Sequence, residues 1–550
     1  MSFISASLPI IKKNLSQYFI LAFLFSMLIQ IWPAVFTQPL RFVIRIAICN
    51  ALLLLSAAAI YRYLLGKIAS VLLTAALTLN FAISFCTWRI YQSEFSSVFA
   101  MSILTTHMSE ISSMSGLFTY YFPIIALYFT ITMLAIHYLA GNTSTTFKHG
   151  GVCLLVVFFA WYTSANWLKQ RKDLEVYYPL SSRILTNTPF YVASEFIIAV
   201  RDNKLAEHIY KNDVQYPAVS VSDTGIENFV VIVGESARRS NMQLYGFGLD
   251  TTPVESAFSN NALVFEHAIA PASATVLAVP MILSKADADH FTVNDLADNV
   301  IRVANKAGFH TEWISAQGNS GKSNNYVVAI ASLSQKAQWV DTSYDEELLP
   351  ELDKALTVAG RKLIVLHING SHEMACIRYP ASADYYHTDD KYEDCYNNAI
   401  RYTDHVIGEV TKRLGNSASA LLYFSDHGLE KNPQLESHYM HGSRNPSKEA
   451  YDVPQFIWYS PAALASKPRR LGKVEERYST ANNYELILSL MGISTGIPHC
   501  KSPLEPCYQP ETSFSVMDGG RHIFEYDDLR SNFSSPDLNS HYRKADKDSL

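Results

Sequence analysis

Phe229-Val-Val-Ile-Val-Gly-Glu-Ser236 is an apolar run that ends on a glycine and a carboxylate. A short run of this kind, with no polar alternation, is the pattern of a strand buried on both faces of a parallel sheet. Two further runs repeat it. Leu363-Ile-Val-Leu366 leads into His367, with His372 five residues on, and Leu421-Leu-Tyr-Phe424 leads into Ser425-Asp-His-Gly428. Glu312–Ile314, after the Gly308 turn, reads as a weaker strand, and helical stretches such as Asn294–Ala307 and Tyr396–Leu414 lie between. Strands alternating with helices predict a doubly wound α/β sheet. In such sheets ligands bind at the carboxyl ends of the strands. Glu235, Asp426 and His427 then meet at one edge, a mixture of hard oxygens and imidazole that suits a catalytic zinc. Adjacent Asp426 and His427 can both face a metal only on a turn, which Gly428 is expected to supply.

Before this region the composition changes. Apolar and aromatic residues dominate up to about Leu168, and most of the charge follows it. Five apolar stretches are long enough to cross a bilayer, which needs roughly 20 residues: Gln17–Phe36, Phe42–Tyr61, Ile68–Thr87, Thr119–Ala140 and Gly151–Leu168. The first is too long for a cleaved signal peptide and lacks a small-residue cleavage site. Gln92–Gly116, rich in Ser and Met, is expected along the outer membrane face, and Pro179–Val200 as an amphipathic connector. The expected division is a five-helix transmembrane domain at 1–168, an interfacial connector at 169–227 and a catalytic domain at 228–550.

The chain has 550 residues and a formal net charge of −6, which leaves no basic footprint for nucleic acid. Cys49, Cys86 and Cys153 fall in apolar segments, and Cys376, Cys395, Cys500 and Cys507 in the polar part. Four cysteines allow three pairings; the spacings suit Cys376 with Cys395 and Cys500 with Cys507. Disulfides belong to an oxidising compartment. Lys and Arg around the spans give only a weak vote on orientation. The cysteines decide it: five spans that begin in the cytoplasm deliver the polar part to the outside.

Gly234-Glu-Ser-Ala-Arg-Arg-Ser-Asn-Met-Gln-Leu-Tyr-Gly-Phe247, followed by Asp250-Thr-Thr-Pro253, resembles the bacterial phosphoethanolamine transferases of the alkaline phosphatase and sulfatase superfamily. The resemblance extends over essentially the whole chain. It implies an alkaline phosphatase/sulfatase-like catalytic domain in the periplasm, on a multi-pass protein of the bacterial inner membrane. It assigns Glu235, Asp426 and His427 to Zn²⁺, with Thr275 as nucleophile and fourth ligand. Thr275 lies in Ser273-Ala-Thr-Val-Leu-Ala-Val-Pro280, five residues before the proline; Ser273 does not hold that place. His367 and His372 match a Leu-His-x-x-x-x-His element, and His441, in His438-Tyr-Met-His-Gly442, a His-Gly element. Lys322, in Gly318-Asn-Ser-Gly-Lys322, matches loosely a lysine near the substrate phosphate. The chain departs from lipid A-specific members at Pro271 and Met281, where they carry cysteines, and at Glu373, where a glycine is common.

A threonine hydroxyl becomes nucleophilic when a metal favours its alkoxide, and His372, His441 and His367 are the candidates for orienting phosphate or moving protons. The implied reaction moves phosphoethanolamine from phosphatidylethanolamine to Thr275 and then to an envelope acceptor such as lipopolysaccharide. Two other readings stay open at this point. One is a glycerol-phosphate transferase that uses phosphatidylglycerol; the other is a sulfatase-like membrane protein that binds lipid and regulates without catalysis.

Overall fold

The structure, a computed structural model, describes residues 24–33, 35, 40–105, 119–170, 185–186, 188–317, 325–432, 439–444 and 446–531. The chain forms two compact units, one built from residues up to 100 and 108–201, the other from 101–107 and 202 onward. Among the described residues the long helices of the first unit include α1 (Leu40–Ile60), α2 (Leu64–Tyr91), α3 (Phe122–Asn142) and α4 (Thr145–Gln170). Among the described residues α1, α2 and α3 are long and apolar enough to cross a membrane. Leu54, Leu77, Phe81 and Tyr128 form part of their shared core, while Leu64, Leu65 and Leu72 stay exposed. A bundle that is apolar outside as well as inside suits lipid surroundings. The expected first span shows a ten-residue apolar helix at Leu24–Pro33, and its start lies outside the described residues. The expected fifth falls within the 26-residue α4. Of Gln92–Gly116, the part Ser97–Thr105 is helical and the rest from 106 lies outside the described residues. The connector region includes α5 (Tyr191–Lys211).

The second unit is built on a nine-stranded sheet. In chain order its strands are β1 (Asn228–Gly234), β2 (Ala262–Ile269), β3 (His310–Ser315), β4 (Lys336–Trp339), β5 (Lys362–His367), β6 (Ser419–Ser425), β7 (Asp452–Val453), β8 (Gln455–Tyr459) and β9 (Gly472–Ser479). The path β4-β3-β5-β1-β6 is parallel throughout. β8 then joins β6 and β2 antiparallel, β7 pairs β2 antiparallel, and β9 pairs β2 in parallel. The sheet is thus mixed and wider than the parallel core read from the three apolar runs.

Every residue of β1, β5 and β6 is buried, as their unbroken apolar character requires. The helix α7 (Lys391–Leu414) packs Tyr396, Ile400 and Ile407 into the same core as Val230, Ile364 and Leu421. Asp390 caps α7 by accepting from the Glu393 N–H at 3.1 Å. The expected single helix over Asn294–Ala307 is two, Val293–Ala297 and Val300–Lys306. Asn299 breaks it: its side chain accepts from the Arg302 N–H at 3.0 Å, starting a new helix rather than continuing the old one. The disulfides are Cys376–Cys395 and Cys500–Cys507, and Cys49, Cys86 and Cys153 are free.

Candidate active site

Strand ends supply the framework of the site. Glu235 follows β1, Asp426 and His427 follow β6, and Gln317 follows β3 by two residues. Ligand atoms of Glu235, Asp426 and His427 all lie within 4.8 Å of one another, and the three residues are buried. His427 Nε2 is 3.4 Å from both Glu235 Oε1 and Asp426 Oδ2. The turns that place them are backbone devices. Ser236 adopts φ +60°, an uncommon left-handed conformation for a residue with a side chain, and its N–H donates to Asp426 Oδ1 at 3.0 Å. A glycine is needed at 428 because a Cβ there would come 2.1 Å from the Glu449 carbonyl oxygen. The loop after β5 crosses the Glu235 backbone so closely that a Cβ on Gly370, at φ +50°, would sit 2.9 Å from its carbonyl oxygen. Asp345 holds that loop by accepting from the N–H groups of Asn369 at 2.7 Å and Gly370 at 2.8 Å.

Thr275 enters from the other part of the sheet, six residues beyond β2, as the first residue of helix α6 (Thr275–Leu283). It is the half-exposed residue of that helix, and the rest are buried. Its hydroxyl donates to Glu235 Oε2 at 3.0 Å and lies 3.2 Å from His427 Nε2. Ala274 before it offers no side-chain cap, so the helix start is open to an anionic group. Ser273 is fully buried.

The charge balance asks for a cation. Asp426 Oδ2 is buried and has no hydrogen-bond partner. Burial pushes the Asp426 carboxyl well above the usual range, and the neighbouring Glu235 adds to this. Burial opposes ionisation of Glu235 too, but the charges of His427 and His372, with bonds from Ser236 and Gln317, bring it down to about 2. Gln317 Nε2 donates to Glu235 Oε2 at 2.9 Å. His427 is held by burial at about 4, helped by His441 and opposed by Glu235. Its Nδ1 lies 2.9 Å from the Gly428 carbonyl, an acceptor, so Nδ1 carries the proton and Nε2 keeps its lone pair. Two carboxylates, a neutral imidazole and an orphaned oxygen fit a divalent metal ion.

Two more histidines complete the site. His441 stacks on His427 with centroids 4.9 Å apart and lies 5.8 Å from His372. Its Nδ1 is 2.7 Å from Glu373 Oε1. Burial lowers its pKa, but the Glu373 carboxylate outweighs that and raises it to about 9. Arg378 donates to His372 Nδ1 at 3.0 Å; a guanidinium only donates, so the His372 proton is on Nε2. His367 stands apart, edge-to-face on Trp313 with its Nδ1 3.2 Å from Ser315 Oγ. Lys322 lies outside the described residues. Gln317, Glu373 and Arg378 were not anticipated. Gln317 was in reach, as it follows the weakest of the predicted strands; nothing in the spacing marks the other two.

A model of the sulfatase family matches residues 227–493, and one of the transferase YhbX N-terminal domain matches residues 9–210. The Escherichia coli K12 protein YhbX, a transferase by designation only, is 36% identical over 471 residues, 84% of this chain and 85% of its own. In shape the chain is similar to the integral membrane lipooligosaccharide phosphoethanolamine transferase A (EptA) from Neisseria meningitidis. The TM-score is 0.55 at 18% identity, over 80% of this chain and 85% of that one. The chain belongs to the phosphoethanolamine transferase family. It is a transferase, and its second unit carries the sulfatase fold. The C-terminal periplasmic domain of EptC from Escherichia coli, solved in complex with Zn, is similar to the transferase with a TM-score of 0.52 at 24% identity. That match covers 58% of this chain and 98% of the domain.

Proposed function

We propose that this transferase moves phosphoethanolamine from phosphatidylethanolamine to a cell-envelope acceptor, lipopolysaccharide at a core sugar or at lipid A, through a phospho-threonine intermediate on Thr275. The observation that carries the reading is the half-exposed Thr275 hydroxyl within 3.2 Å of both Glu235 and His427. On this reading the chain is an inner-membrane protein with five membrane helices within 1–168, an interfacial connector at 169–227 and a periplasmic catalytic domain at 228–550. The names of EptA, an integral membrane lipooligosaccharide enzyme, and of the periplasmic EptC domain support it.

Glu235, Asp426 and His427 are the residues to hold zinc, with Thr275 beside them. Zinc bound there would act as a Lewis acid that favours the ionised hydroxyl and offsets charge on the phosphoryl oxygens. The remaining work belongs to the side chains. Thr275, its proton lost to solvent as the ionised hydroxyl forms, attacks phosphorus through its oxygen, and the bond from phosphorus to the glyceryl oxygen breaks as the new one forms. Diacylglycerol leaves with a proton from His441 Nε2. The Nε2–H of His372 donates to a phosphoryl oxygen, and Lys322 is assigned to the substrate phosphate. His367 supports the end of β5. An acceptor hydroxyl, returning its proton to His441 Nε2, then attacks phosphorus from the vacated side and the threonine is released in its ionised form; with an acceptor phosphate His441 is reprotonated from water. Two half-reactions of this kind give ping-pong kinetics.

Donor choice tests the proposal. Full-length protein offered phosphatidylethanolamine and phosphatidylglycerol in parallel should label lipopolysaccharide with phosphoethanolamine alone. Transfer of glycerol phosphate in its place would sink the assignment.

A further inference from the structure

Glu373 follows His372 directly and is not one of the residues whose ligand atoms converge on the metal position. Its side chain is nevertheless only 12% exposed, with Oε1 2.7 Å from His441 Nδ1. A carboxylate withdrawn this far from water is unfavourable unless a partner compensates it. Local structure is committed to putting it there. Met374, the next residue, has φ +61°, a conformation that persists in a non-glycine residue only when its surroundings hold it. Those surroundings are present. The Cys376–Cys395 disulfide ties the segment to α7, and Arg378 donates to His372 Nδ1 at 3.0 Å and to the Glu373 carbonyl at 3.4 Å. The other end of the pair is equally constrained, because the His441 ring lies on His427 at an interplanar angle of 21°. The bond to Glu373 fixes His441 Nδ1 on the carboxylate and turns Nε2 to the opposite side of the ring.

We propose that Glu373 is a positioning residue for the transfer reaction: it fixes the orientation of His441 over His427, so that Nε2 is presented to the phosphoryl group. This rests on the phosphoethanolamine-transfer reading given above. A buried carboxylate orients the general-base histidine of serine proteases in the same way, without itself touching substrate. The two histidines on either side of the phosphoryl position are thus held by opposite means. Arg378 donates to His372 Nδ1, and Glu373 accepts from His441 Nδ1.

The test uses the full-length protein in detergent micelles with a fluorescent phosphatidylethanolamine donor. The variants are Glu373→Gln, Glu373→Asp, His441→Asn and the double Glu373→Gln/His441→Asn. Glu373→Gln should lower kcat about 10–100-fold, the range seen when an orienting partner is lost, with donor KM within about threefold of wild type. Glu373→Asp should restore part of that kcat. In the His441→Asn background Glu373→Gln should cost nothing further, because the residue acts through His441. Histidine-selective ¹⁵N NMR should show a strongly hydrogen-bonded Nδ1–H signal in wild type that disappears in both Glu373→Gln and His441→Asn. That signal does not depend on turnover: if wild type transfers no phosphoethanolamine the functional reading fails, and the signal still decides the pairing. Wild-type kcat in Glu373→Gln, a rise in KM alone, an additive loss in the double variant, or an unchanged proton signal would each overturn the proposal. Should Glu373→Gln lose its metal or its fold, Glu373→Asp decides: reduced kcat at unchanged KM supports the proposal, and full kcat overturns it.

Discussion

Strands β3, β5, β1 and β6 on one side of the sheet, and strands β8, β2 and β9 on the other, contribute to the site in different ways. The parallel strands end within two residues of Gln317, Glu235, Asp426 and His427, and β5 leads through a pinned loop to His372. Glu235, Asp426 and His427, delivered over so short a reach, are buried, and backbone groups hold Asp426 and His427. The mixed side delivers Thr275 alone, six residues past β2 on the first turn of a helix, and leaves it half-exposed. One side is therefore a rigid cage suited to an ion, and the other brings a reactive group to its mouth. Damage to the cage should cost metal, and damage to the helix start should cost chemistry while the metal stays.

The largest expected effect is on the helix side. Thr275→Ala should cut transfer by about 10³-fold or more, as removal of a nucleophile does, with zinc content near wild type. Asp426→Ala should lower zinc content and transfer together, the latter by more than ~100-fold, since it removes a ligand rather than a ligand's support. Zinc measured on the two purified variants separates the sides; near-normal zinc in Asp426→Ala would remove the distinction.

A smaller effect comes from Glu430, four residues past Asp426. It accepts from the Ser443 hydroxyl and, at 2.7 Å, from the Ser447 N–H, and so fixes the segment around His441. Burial raises its pKa from 4.5 to about 7 against those bonds. The folded protein then binds this proton more tightly than the unfolded chain does. The contribution to stability is full below pH 4.5 and is lost as pH rises through 7, at most about 3 kcal/mol. Wild type should melt lower at pH 8 than at pH 5, and Glu430→Gln should shrink that difference; an equal difference in both would exclude Glu430 as its source. The smallest effect belongs to the pair of exposed Lys473 with the partly buried Glu266, which links β9 to β2. Lys473→Ala should change stability by no more than ~0.5 kcal/mol in a melting experiment.

The same contrast explains what the sequence made legible. β1, β5 and β6 carry four or five consecutive apolar residues each, and burial on both faces leaves no other reading. β9 exposes Glu475, Glu476 and Arg477 and buries Val474 and Tyr478, with a register shift between Val474 and Arg477 that destroys the period of two. β8 is five residues after a proline, and β2 carries Glu266 and His267 near its end. Of the three only β9 lacks the pattern of a buried strand, since Ala262–Phe265 in β2 and Phe456–Tyr459 in β8 carry four apolar residues each. In the site, the groups at strand ends were readable because topology alone brings them together. The pairing of Glu373 with His441 was not, because it depends on a left-handed Met374 that no residue type announces.

The central claim is that Thr275 carries the phosphoethanolamine group during turnover. Wild-type protein incubated with phosphatidylethanolamine without acceptor, digested and analysed by fragmentation mass spectrometry, should bear one phosphoethanolamine mass on Thr275, and Thr275→Ala should bear none. The group on Ser273, or no adduct from an enzyme that goes on to label acceptor at full rate, would contradict it.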